Sequence, residues 1–200
     1  NMHSGSSEQL TILNSDITVE EVKHVIKNMK KGKAPGYDGL VAELFQKSSE
    51  VVSPRLCDLY NKILQSSDFP EQWSKAIICS LHKGGDINSE TNYRGISLLS
   101  ICGKIFTKIL NNRLTPWAKA TGQFHEEQAG YREGYSTIDH IFTLYTLAQK
   151  YLSKPNGRFY VLFVDMSKVF DKIPHVLLWK RLINPFETLL TDPGCRGNCM

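Results

Sequence analysis

Phe-Tyr-Val-Leu-Phe-Val-Asp-Met-Ser-Lys-Val-Phe-Asp, residues 159–171, decides how the rest of the chain is read. It opens as an almost unbroken run of apolar, β-branched and aromatic residues, the pattern of a strand buried on both faces. The run stops at Asp165. A carboxylate at the end of a buried strand is costly unless a metal ion, a cation or a helix N-terminus compensates it. Asp171 follows, and Pro174 suits the first turn of a new helix. Two readings stand on these residues alone. In one, Asp165 holds a ligand; in the other it simply ends the strand, and Asp171 caps the helix that follows.

Working back from this run, Pro155-Asn-Gly157 turns the chain into the strand. Ahead of it, Ser136-Thr-Ile-Asp139 has the form of a capping box and leads an amphipathic helix with Ile138, Ile141, Phe142, Tyr145, Ala148 and Leu152 on its inner face. Gln128-Ala-Gly-Tyr-Arg132 stands in a polar segment, where bare backbone at Gly130 and the cation of Arg132 suit a nucleic-acid backbone. A helix carrying Ile101, Ile105, Ile109 and Leu110 precedes it and is expected to end or kink at Pro116 and Trp117. Residues 75–81 and 92–99 read as two strands joined through His82-Lys-Gly-Gly-Asp86, which starts a turn or a longer loop, its glycines favouring a tight reversal. Lys83 near the tip and Arg94 on the return strand suit a triphosphate, since guanidinium and ammonium groups neutralise phosphate oxygens; a solvated hairpin is the alternative.

Nearer the N-terminus, Thr18-Val-Glu-Glu21 is a capping box followed by the helical stripe Val19, Val22, Val25, Ile26 and Met29, with Gly32 as its stop. Residues 33–39, Lys-Ala-Pro-Gly-Tyr-Asp-Gly, form a turn-rich loop in which glycine permits positive φ and the close approach of a ligand. Residues 40–64 read as two helices split near residues 48–54, with Leu44, Phe45, Leu56, Leu59, Tyr60, Ile63 and Leu64 as core. Residues 1–17 are expected to be flexible. From residue 184 onward no helical or strand period remains.

Composition bounds the function. A hydrophobic content of 41% supports a folded core and argues against global disorder. The net charge of +4 is concentrated: Lys23, Lys27, Lys30, Lys31 and Lys33 follow one another with no acid among them. Such a cluster suits a polyanion, or lines a solvated helix face. No apolar run reaches the roughly 18 residues needed to cross a bilayer, and the N-terminus lacks the apolar segment of a signal peptide, so an intracellular protein of cytoplasm or nucleus is expected. The five cysteines are odd in number and scattered, which argues against a disulfide framework. Cys57, Cys79 and Cys102 fall in apolar patterns and read as core thiols, while Cys195 and Cys199 lack the further ligands a zinc site needs.

Several of these segments together resemble the reverse transcriptases of non-LTR (LINE-like) retrotransposons. Val-Asp-Met-Ser-Lys-Val-Phe-Asp, residues 164–171, resembles their first catalytic motif, usually Asp-Phe-Ser-Lys-Ala-Phe-Asp. Residues 33–39 resemble the Lys-Ala-Pro-Gly-x-Asp-Gly signature that opens the domain. The hairpin resembles Lys-Lys-Gly-Asp followed by Asn-Tyr-Arg-Pro-Ile-Ser-Leu, with Gly84 and Gly95 in place of Lys and Pro. Residues 128–132 resemble Gln-x-Gly-Phe-Arg, and the likeness covers roughly residues 30–183. The resemblance implies a helix-rich α+β fold, with fingers and the beginning of a palm over residues 18–183 and an unrelated tail over 184–200. It assigns Asp165 and the Met166 carbonyl to a two-magnesium site. It also assigns Lys83, Arg94 and the steric-gate Phe170 to the incoming deoxynucleotide, and Gly130 and Arg132 to the template-primer path. The implied partners are an RNA template, a DNA primer and dNTP. Val169 stands where the family has Ala, and its added volume crowds the sugar pocket.

The family's second metal-binding motif contains Asp-Asp, and no Asp-Asp occurs in the 200 residues. Two-metal nucleotidyl transfer needs carboxylates for both ions. The expectation is a domain truncated after its first catalytic motif and inactive as given. A non-catalytic nucleic-acid-binding module and a poorly folding relic of a retroelement are the alternatives.

Overall fold

The computed structural model describes residues 13–166 and 172–180. They divide into two compact units, Asn1–Gln123 and Phe124–Met200. Phe170, Asp171, Val169, Cys195, Cys199 and the tail from residue 184 lie outside the described residues.

In the first unit, helix α1 (Val19–Lys27) starts at the expected capping box. Thr18 Oγ1 accepts the Glu21 N–H at 3.2 Å, and the Thr18 N–H donates to Glu21 Oε2 at 2.9 Å. Two of the donors a helix start leaves open are thereby satisfied. Helices α2 (Ala42–Lys47) and α3 (Ser49–Ser66) follow, then the short α4 (Glu71–Ser74). Strands β1 (Ala76–His82) and β2 (Tyr93–Leu99) form an antiparallel hairpin, and α5 (Ile101–Ala120) returns to the helices. Val22, Val25 and Ile26 of α1 pack with Phe45, Leu56, Tyr60 and Ile63, and with Ile105, Phe106 and Ile109 of α5, in one hydrophobic core. The apolar stripe of α1 therefore predicts its packing correctly, with Val19 and Met29 at its margin.

A charged staple crosses this core. Arg113 on α5 is 6% exposed. Its Nε and Nη2 donate to the two oxygens of Glu21 on α1, both at 2.7 Å. Its Nη1 donates to the Ser15 carbonyl at 2.6 Å and Nη2 to the Asp16 carbonyl at 2.9 Å. Beside it, the Asn61 amide brackets Ile17, accepting its N–H at 2.7 Å and donating to its carbonyl at 2.9 Å. Ile17 is buried, so the core reaches across the boundary expected between residues 17 and 18.

Several expectations are corrected here. The expected split between α2 and α3 occurs at Ser48, where the hydroxyl donates to the Leu44 carbonyl, but it does not extend to Pro54, which is carried within α3. Likewise α5 continues through Pro116 to Ala120. Proline removes one helical hydrogen bond without ending the helix in either case; buried Trp117 and Ser53 anchor the adjoining turns. Helix α1 stops at Asn28, short of Gly32, where the Gln46 amide caps the Ile26 and Met29 carbonyls. Leu44, Leu59 and Leu64 are exposed while Phe45, Leu56, Tyr60 and Ile63 are buried. Cys79 is exposed because the hairpin that carries it projects from the core; Cys57 is buried, and Cys102 partly so.

In the second unit, helix α6 (Thr137–Leu152) starts as expected, with the Ser136 N–H donating to Asp139 Oδ2 at 2.7 Å. Its apolar face forms but is not covered: Ile138, Ile141, Phe142, Tyr145 and Leu152 are exposed. The Pro155-Asn-Gly turn also forms, with the Gly157 N–H donating to the Lys154 carbonyl. The buried strand expected over residues 158–164 does not form. In that segment Tyr160, Leu162, Phe163 and Val164 are each at least 74% exposed. A strand needs a neighbour for its backbone donors and acceptors, and among the described residues none pairs with it. Residues 175–180 are helical, as expected.

Burial raises the Glu21 pKa, but the Arg113 hydrogen bond, the Thr18 N–H and the Arg113 charge together hold it below its ordinary 4.5. A depressed carboxylate contributes stability above its unfolded pKa and loses it as pH falls through the folded value. The wild-type chain is therefore expected to lose stability on acidification below about pH 4.5, and Glu21→Gln to flatten that limb of the curve. Arg113→Ala leaves Glu21 and two carbonyls without their donor and is expected to cost about 3 kcal/mol, measured as a fall in the urea midpoint.

Candidate functional site

The hairpin is an exposed arm. Its register pairs Leu81 with Arg94 and His82 with Tyr93. Lys83 continues the ladder, its N–H donating to the Asn92 carbonyl at 2.7 Å. Side chains alternate along strands, so Ile77, Cys79 and Leu81 share one face with Arg94, Ile96 and Leu98. The same alternation carries Lys83 to that face. Lys83 and Arg94 are both exposed. The structure thus brings two cations to the outer end of an apolar surface. The other face carries the His82 and Tyr93 rings, 5.1 Å apart, and the Tyr93 hydroxyl donates to the Ile87 carbonyl and pins the connecting loop.

Residues 33–39 sit at the base of this arm. A Cβ at Gly36 would run into the Leu99 carbonyl and come within 2.8 Å of the Ser100 nitrogen. Gly39 has φ +67°, its N–H donates to the Gly36 carbonyl, and Asp38 Oδ1 accepts the Leu40 N–H. The close approach expected of a ligand is made instead by the chain's own backbone. The loop's glycines and aspartate are required to seat it where β2 passes into α5.

Next to that loop, Lys30, Lys33 and Lys104 rim a cleft of about 160 Å³ floored by Met29, Leu40 and Ile101. Lys104 was visible in sequence only as a polar position of its helix. From the same lysine-rich segment, Lys23 pairs with Glu50.

In the second unit, residues 124–135 form a loop folded around Arg132. Arg132 Nη1 donates to the His125 carbonyl at 2.9 Å and the Gln128 carbonyl at 3.2 Å. Its guanidinium lies over the Tyr135 ring at 4.2 Å and the Phe124 ring at 5.7 Å. Gly130 is exposed, with nothing within 4 Å of where a Cβ would stand. Asp165 and Met166 are exposed.

The profile of the reverse transcriptase (RNA-dependent DNA polymerase) family matches residues 81–189. The chain belongs to that family. It is 31% identical over 170 residues to a probable RNA-directed DNA polymerase from transposon BS of Drosophila melanogaster, covering 84% of this chain and 18% of that protein. It is 30% identical over 183 residues to the RNA-directed DNA polymerase from mobile element jockey of the same organism, covering 88% and 20%. A putative 115 kDa protein in the type-1 retrotransposable element R1DM is 27% identical over 187 residues, covering 90% and 16%. The chain is thus a reverse transcriptase domain segment of the non-LTR retrotransposon type, spanning about a fifth of the length of these relatives.

Reverse transcriptases use divalent metal ions. The described residues do not fit one. Asp165 is a single exposed carboxylate, and no group of three or more His, Cys, Asp or Glu that could hold a metal occurs among the described residues. Nor is any helix among them long and apolar enough to cross a membrane.

Two glycines of the family motifs make opposite predictions. Gly36→Ala is expected to cost about 2 kcal/mol, because backbone must shift to admit the methyl group. Gly130→Ala meets open space and is expected to change stability by under about 0.5 kcal/mol. Thermal melts of the two variants against wild type check both.

Proposed function

We propose that the chain is the fingers and the first palm motif of a non-LTR reverse transcriptase, acting in RNA-directed DNA synthesis when the rest of the domain is present. The observation that carries this reading is the exposed arm with Lys83 and Arg94 at the end of an apolar face. A deoxynucleoside triphosphate has the complementary shape, an apolar base and sugar ending in a strongly anionic tail. Guanidinium binds phosphate oxygens in a fork and ammonium as a point charge. Asp165, the Met166 carbonyl and Phe170 are proposed as the metal- and sugar-facing residues of the complete domain, and Gly130 lies on the template-primer path. The 200-residue chain by itself lacks the Asp-Asp pair and is proposed to bind without polymerising. The domain portion is proposed to run from residue 18 to at least residue 189, where the family profile ends, beyond the boundary expected at residue 183.

Binding without catalysis is the second reading, favoured by the cleft that Lys30, Lys33 and Lys104 rim. An RNA–DNA hybrid would then bind with a salt slope of about 0.7–0.9 log units for each phosphate contacted. The exposed apolar segment 160–164 supports a third, a relic prone to aggregation.

In a titration with a fluorescent dNTP on the chain bound to an RNA–DNA hybrid, Arg94→Ala is expected to weaken nucleotide binding about tenfold, the scale of one charged hydrogen bond. Unchanged affinity would remove the arm from the nucleotide site. Primer extension by the 200-residue chain is expected to be absent; extension abolished by Asp165→Ala would overturn the proposed inactivity.

A further inference from the structure

The loop over residues 124–135 contains a residue whose conformation its sequence does not favour. The Arg132 N–H donates to the Ala129 carbonyl at 3.3 Å, which closes a four-residue turn over Gly130 and Tyr131. Tyr131 has φ +61°. A turn with positive φ at its third position ordinarily places glycine there. Here the glycine comes one residue early, and a bulky tyrosine occupies the left-handed position. Strain of this kind persists only where surrounding structure enforces it.

Burial of the ring does not repay the strain, since Tyr131 is 96% exposed. What enforces the turn is Arg132. Its bonds to the His125 and Gln128 carbonyls and its stacking on Phe124 and Tyr135 join both ends of the loop. Arg132 Nε is shut off from solvent without a hydrogen-bond partner, so that atom offers nothing to an incoming phosphate.

We infer that Tyr131 is the nucleic-acid contact of this loop, stacking on a base of an unpaired RNA strand, and that Arg132 is the positioning residue that holds it out. The inference rests on the nucleic-acid reading proposed above. An outward aromatic ring on a fixed turn accepts any base, because every base has a π-face. Such a ring contributes affinity without neutralising charge, and this separates it from a phosphate-binding arginine.

The test titrates the full chain with a short fluorescein-labelled single-stranded RNA over a range of salt concentrations. Tyr131→Ala is expected to weaken binding about tenfold with the salt slope unchanged, and Tyr131→Phe to keep wild-type affinity. Tyr131→Gly is expected to bind as poorly as Tyr131→Ala while its melting temperature stays equal to or above wild type, which separates lost contact from lost fold. Arg132→Lys keeps the charge but loses the planar stacking on Phe124 and Tyr135, so it is expected to bind as weakly as Tyr131→Ala with an unchanged slope. A 2-aminopurine in the RNA should be quenched on binding to wild type and not to Tyr131→Ala. Wild-type affinity in Tyr131→Ala would overturn the inference and leave the nucleic-acid reading standing. So would Arg132→Lys binding as wild type while Arg132→Ala loses about 0.7 of a unit of salt slope. A wild-type chain that binds no RNA at low salt would overturn both.

Discussion

The pairing of Arg113 with Glu21 is the constraint on which the first unit depends. A guanidinium that is 6% exposed is tolerable only if its donors are met, because desolvation of an unpaired charge outweighs most other single terms. Four of its five N–H donors are met, two by Glu21 and one each by the Ser15 and Asp16 carbonyls. Glu21 is also the residue that closes the capping box of α1. One carboxylate therefore starts a helix and fastens it to α5. Such a pair adds less net stability than an apolar contact would, but it admits only one relative placement of the elements that make it.

The arm and the loops follow from that placement. Helix α5 begins directly after β2, so fixing α5 in the core fixes where the hairpin leaves it. Gly36 then allows residues 33–39 to lie against the backbone at Leu99 and Ser100, closing the junction from the other side. The motif loop so buttresses the arm, and the arm stands clear of the core with Lys83 and Arg94 exposed on it. The family's signature residues in this unit divide accordingly into those that hold the arm and those that the arm presents.

What was legible in sequence was local. Capping boxes at Thr18 and Ser136 place a donor and an acceptor three residues apart, and both formed. The hairpin declared itself through two apolar runs on either side of Gly84-Gly85, although its connection extends from residue 83 to residue 92. What could not be read depended on distant partners. Arg113 sits at a polar position of its helix, and the groups that bury it lie 92 or more residues away in sequence. The run over 159–164 reports what a segment is able to bury, not whether a neighbouring strand is there to receive it. Tyr131 lay in view beside Gly130, but only the φ angle shows that the glycine is one place from where its turn would use it. The motif match implied Arg132 as a nucleic-acid contact; what it could not show is that Nη1 also bonds the His125 and Gln128 carbonyls and that the guanidinium lies over Phe124 and Tyr135.

Hydrogen exchange of the full chain, resolved by peptide, tests the central claim most directly: a first unit fixed by its own core, and a segment leading to Asp165 that has no strand partner among the described residues. The account predicts slow exchange in α1, α3 and α5, intermediate exchange in the hairpin ladder, and fast exchange across residues 159–166. Slow exchange across 159–166, or exchange in α1 and α5 as fast as in an unfolded chain, would contradict it.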